Sequence, residues 1–115
     1  MAGKDAESDL IRGNIDSIIL RVLAAGDNYG YEILKSISLK SKGSYEMKEP
    51  SLYTCLKRLE KQGFIKGYWG NETQGARRKY YRITESGRIE LSDACERWNR
   101  VKGIIDQLLA EDGEE

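Results

Sequence analysis

A chain of 115 residues holds one domain, with room for little more than an added arm or helix. Its 33% charged residues are balanced at 19 basic and 19 acidic, and 25 positions are Leu, Ile, Val or Phe, so a folded protein with one modest core is expected. Histidine is absent, which excludes imidazole bases, Ser–His triads and histidine metal sites.

Residues 1–9 are polar and acidic, unlike a signal peptide, and read as a flexible N-terminal arm. From Leu10 to Ala25, apolar residues at 11, 15, 18, 19, 22 and 23 follow one face of a helix. The stretch is too short and too interrupted to span a bilayer, so no membrane association is expected and the cytoplasm is the expected location. Gly26-Asp27-Asn28 ends it, and a second helix is expected from Tyr31 to Leu39 with Ile33, Leu34 and Ile37 inward. A third starts at Pro50, whose missing N–H would be unpaired there anyway, and runs to Gln62 on Leu52, Leu56 and Leu59.

After Gly63 the period changes. Phe64–Trp69 and Arg77–Ile83 alternate and are rich in aromatics, predicting a β-hairpin around a polar tip at 70–76. Thr84 then suits the N-cap of a helix of roughly 25 residues ending near Ala110, with an acidic tail at 111–115. The expected fold is mainly α with a small hairpin, a winged helix-turn-helix over 10–84 and a dimerisation helix over 85–110.

Two features of this outline bear on function. The final helix carries Leu91, Ala94, Trp98, Val101, Ile105 and Leu108 at alternating spacings of three and four, a heptad seam. At 1.5 Å per residue the helix spans ~37 Å, more than three short helices and a hairpin can cover. A homodimer is expected. Charge, meanwhile, is distributed unevenly: residues 48–82 carry a net +6 between acidic ends. Such a window suits a polyanion.

On the third helix, turning the leucines inward leaves Ser51, Tyr53, Thr54, Lys57, Arg58 and Lys61 outside, with Tyr53, Lys57 and Lys61 on one ridge. Hydroxyls at the N-terminal end can approach base edges, while the cations further along neutralise phosphate. Arg77, Arg78 and Lys79 extend the cationic set into the hairpin. In the winged helix-turn-helix arrangement the last short helix enters the major groove and the hairpin lies along the backbone or minor groove. Double-stranded DNA is therefore the expected partner. The alternative is a winged helix that serves protein contacts alone. No catalytic motif or phosphate-binding glycine loop occurs, so neither an enzyme nor a cofactor is expected. Cys55 and Cys95 stand 40 residues apart without a pairing motif and read as small hydrophobes, a redox role being the alternative.

Three stretches, in order, resemble the PadR family of transcriptional regulators, in particular its short-chain branch with a single C-terminal helix. Tyr29-Gly30-Tyr31-Glu32-Ile33 is similar to the opening of the family's second helix, residues 51–65 to its recognition-helix block, and residues 75–84 to its wing. The resemblance covers about Leu10 to Leu109. Thr54 stands where the family often has proline, and Pro50-Ser51 where it often has glycine or Gly-Thr. What the resemblance implies is a dimeric repressor on an inverted-repeat operator, released by a small molecule or a partner. Drug-binding members of that branch stack planar ligands on paired tryptophans, which makes Trp98, with the small Ala94 one turn before it, a candidate effector pocket for a planar aromatic compound, the alternative being that Trp98 only fills the dimer core.

Overall fold

The computed structural model describes residues 2–70 and 77–113. Eight elements follow one another: α1 (Ala2–Arg12), α2 (Ile15–Ala24), β1 (Asn28–Tyr29), α3 (Gly30–Lys40), α4 (Glu49–Lys61), β2 (Ile65–Trp69), β3 (Lys79–Ile83) and α5 (Glu85–Leu109). The expected hairpin tip at 71–76 and the last two tail residues lie outside the described residues.

The core is built on α2, whose Ile19, Leu20 and Leu23 are fully buried. Around them close Ile33 and Ile37 of α3, Leu52, Leu56 and Leu59 of α4, Ile65, Tyr81 and Ile83 of the sheet, and Leu91 of α5. The inward residues expected for the second and third helices take these places, with Leu34 only half-buried. Leu20 falls outside the predicted stripe because α2 is enclosed on more than one side.

Two sequence expectations change at the N-terminus. The arm expected at 1–9 is helical from Ala2, and the single helix expected over Leu10–Ala25 is broken at Gly13-Asn14. Glycine is a poor helix former, and the Asn14 side-chain Nδ2 donates to the Leu10 carbonyl at 3.3 Å while Asn14 itself leaves helical geometry. A continuous apolar period thus runs across two helices.

The predicted hairpin is one residue shorter at β2 and starts two later at β3, and it gains a third strand. Asn28 and Tyr29 pair with Tyr81 and Tyr80, giving an antiparallel sheet in the order β1-β3-β2. Two residues are too few for a period to reveal. The turn from α4 into β2 needs Gly63 at φ +81°, a region that disfavours other residues. Thr84 caps α5 as expected, its hydroxyl oxygen accepting from the Gly87 amide at 3.0 Å while its proton goes to the Gly63 carbonyl at 2.7 Å. That pair joins the start of the long helix to the end of α4.

Candidate nucleic-acid interface

The helix α4 presents one buried and one open face. Leu52, Cys55, Leu56 and Leu59 are inward, and Ser51, Tyr53, Thr54, Lys57, Arg58 and Lys61 are exposed. Tyr53, Lys57 and Lys61 form the outer ridge, at spacings of one helical turn. The environments within this set differ. Tyr53 lies across the start of α3, where a side chain on Gly30 would collide with its phenol oxygen. Gly30 is therefore the residue that lets the two helices of the motif approach. Thr54 donates its hydroxyl to the Pro50 carbonyl at 3.0 Å.

Arg58 is turned toward α2. Its Nη2 and Nε reach the two carboxylate oxygens of Asp16 at 2.6 and 3.1 Å, and Nη2 also meets the Cys55 sulfur at 3.2 Å. The bidentate Asp16 contact raises the guanidinium pKa still further and fixes α4 on α2. Burial pushes the Cys55 thiol up, with Asp16 adding to the effect, so Cys55 is a neutral thiol at physiological pH. Cys95 is exposed on α5.

In the hairpin, Arg77 lies over the Trp69 ring at 5.5 Å and Arg78 over Tyr29 at 4.7 Å. Lys79, on the face of the sheet opposite to Arg78, points toward Glu60 at 3.7 Å and the Tyr81 ring. Other polar groups here were not singled out from the sequence. Asp27 accepts from the Tyr68 hydroxyl at 2.6 Å and from Arg82 Nε at 3.1 Å, binding the α2–β1 loop to both long strands. The Asp27 bond holds the Tyr68 phenol above its usual pKa. Asp16, Asp27 and Glu60 find partners 42, 55 and 19 residues away along the chain, beyond the reach of any local pattern.

The second surface is α5. Leu91 and Ala94 are buried in their own domain, at 6% and 7% exposure. Trp98, Val101, Ile105 and Leu108 are open at 44–77%, with Ile104 and Leu109 beside them. Between α5 and the first three helices runs an apolar groove of about 660 Å³, lined among others by Ile11, Ile18, Ala94, Cys95 and Trp98, with Arg21 and Lys40 among its charged residues. Ala94 and Trp98 thus do share one concavity. It lies within a single chain.

The helices α2, α3 and α4, the last of them cationic on its outer face, and the three-stranded sheet define a winged helix-turn-helix protein. The sequence matches the transcriptional regulator PadR-like family over residues 19–93. The chain belongs to that family. It is similar to a transcriptional regulator from Clostridium thermocellum, with 48% identity and a TM-score of 0.83 over 90% of this chain and 97% of that one. A PadR family transcription regulator from Clostridium difficile shares 36% identity and a TM-score of 0.72, over 84% and 99% of the two chains. An uncharacterised Lysinibacillus sphaericus protein is 48% identical across 89% of this chain and 94% of its own. The protein is thus a PadR-like transcriptional regulator, of a family that binds DNA, typically dimerises and is not in general enzymatic. Among the described residues no helix is long and apolar enough to cross a membrane.

Proposed function

We propose that the protein is a homodimeric, sequence-specific repressor of an inverted-repeat operator, released by a small planar aromatic effector or by a partner. The observation that carries this reading is the presence of two unlike open surfaces, a cationic ridge on α4 with Arg77 and Arg78 exposed in the hairpin, and an apolar stripe on α5 from Trp98 to Leu109. The ridge suits the major groove, with Ser51, Tyr53 and Thr54 near base edges and Lys57 and Lys61 on phosphates. Arg77 and Arg78 carry the phosphate contacts of the wing. Arg58 and Lys79, engaged by Asp16 and Glu60, contribute more to the frame than to direct readout.

The α5 stripe leaves Trp98, Val101, Ile104, Ile105, Leu108 and Leu109 exposed along one helix, and a second copy covers such a patch most economically. A two-fold axis there sets the separation of the two α4 helices. A planar ligand on Trp98, in the groove under α5, then changes the angle of α5 and that separation, in proportion to its differential affinity for the two shapes. Because the target is DNA, the proposed place of action is the cytoplasm.

The test is a protection assay on the DNA upstream of the protein's own gene. Two protected half-sites about one helical turn apart, ~34–36 Å, support the reading. Duplex binding should weaken steeply with salt through counterion release. A protein with no salt-sensitive affinity for any duplex would instead be a protein-contact module.

A further inference from the structure

Two carboxylates hold the hairpin, one from each side. Asp27 grips the outer face through Tyr68 and Arg82. Glu60, half-buried in the last turn of α4, approaches from the inner face. Its Oε2 accepts from the backbone amide of Gly67 at 3.2 Å, and its Oε1 lies 3.7 Å from Lys79 Nζ.

The sheet register explains why that amide is available. Thr84 donates to Phe64 and Gly70 to Arg78, so hydrogen-bonded pairs fall on the even positions of β2. Gly67 faces Tyr81 in a pair without ladder bonds, and its N–H points to the open edge of the sheet. An unpaired edge amide is open to pairing with another strand or to water. Glu60 occupies it. A Cβ at Gly67 would stand 2.5 Å from Lys79 Cε and 3.0 Å from Glu60 Oε2, so a side chain there would displace the ends of both.

We infer that Glu60 is a positioning residue for DNA recognition, a latch that fixes the angle of the wing relative to the recognition helix through Gly67 and Lys79. This rests on the DNA-binding reading and adds to it a residue of the wrong charge. An acid beside a polyanion interface ordinarily weakens binding, so its removal should tighten binding to any duplex. A latch reverses that expectation for the correct site alone. With the wing held, Arg77 and Arg78 meet the backbone in register with α4, and without it the ordering cost falls on binding.

The experiment compares wild type, Glu60→Ala, Glu60→Gln and Gly67→Ala on two probes at one salt concentration. One is a duplex enriched by the wild-type protein from a randomised library, the other poly(dI·dC). The latch predicts that Glu60→Ala loses at least about tenfold in affinity for the enriched duplex and holds or gains on poly(dI·dC). Hydrogen exchange of the Gly67 amide should quicken in the same variant without DNA. Glu60→Gln keeps an oxygen for Gly67 and loses the pairing with Lys79, and it should fall between. Gly67→Ala should lose discrimination while keeping every charge. Equal tightening on both probes by both Glu60 variants, with Gly67 exchange unchanged, overturns the latch and leaves DNA binding intact. If the alanine variant does not fold, the isosteric glutamine and Gly67→Ala decide, and unaltered discrimination in both overturns the latch. A wild-type protein that enriches no duplex overturns the DNA-binding reading and the latch with it.

Discussion

The two ends of α5 carry one continuous heptad pattern and meet opposite fates. Leu91 and Ala94 are enclosed by the domain that precedes them, whereas Trp98, Val101, Ile105 and Leu108 leave it and remain open. Neither residue type nor spacing changes along the way. What changes is the supply of surface, because α2 is the main neighbour of α5 and is only ten residues long. A periodic stripe therefore states that something must cover a helix face without stating what does.

The contrast can be broken at either end. Ile105→Asp would place two like charges at the proposed two-fold contact, and the expected outcome is loss of the dimer with the monomer fold retained. Sedimentation at micromolar concentration, with circular dichroism, checks both. A wild-type protein that sediments as a monomer would remove the need for a covered distal end. A triple change of Lys57, Arg77 and Arg78 to Ala addresses the opposite surface. It should leave sedimentation unaltered while lowering the salt slope of duplex binding by about three units, roughly 0.9 per lost phosphate contact.

Leu91→Ala should cost about 2–5 kcal/mol of unfolding free energy, in the range of buried leucine truncations. Ile105→Ala should cost far less once protein concentration is too low for association, and a denaturant titration at two concentrations separates the cases. Trp98 sharpens the boundary between the two ends. In a Trp69→Phe background it is the only indole left, and a planar aromatic compound that seats in the groove should both quench it and weaken operator binding. Quenching without an effect on DNA would leave Trp98 as plain packing.

The cysteines give the smallest signal. Burial holds the Cys55 thiol above its usual pKa, so at pH 8 its reactive thiolate is scarce and alkylation by iodoacetamide should be slow in every variant. As pH rises past the ordinary thiol range, the unfolded chain ionises first, so this group makes the fold less stable with rising pH. Cys95, beside Trp98 in the groove, should react faster, and, if the proposed dimer forms, faster in Ile105→Asp than in the wild type.

Amphipathic period and punctuation were enough to read most elements. The leucines of α4, Pro50 at its start, Gly63 at its end and the Thr84 cap are local signals, and they act as read because each depends only on residues within about a turn. The same locality hid the break at Gly13-Asn14, since helical offsets continue across it, and it hid β1, which exists only because β3 lies beside it.

The candidate interface divides in the same way. That α4 would be cationic on its outer face follows from composition and a period of 3.6, so the sequence by itself determined which surface attracts a polyanion. Which cations stay open was decided by the tertiary structure. Arg58 and Lys79 look equivalent to Lys57 and Arg77 in the chain, yet Asp16 and Glu60 engage the first two. Charge pairing depends on distance in space, and only the folded chain brings Asp16 to within 2.6 Å of a residue 42 positions away.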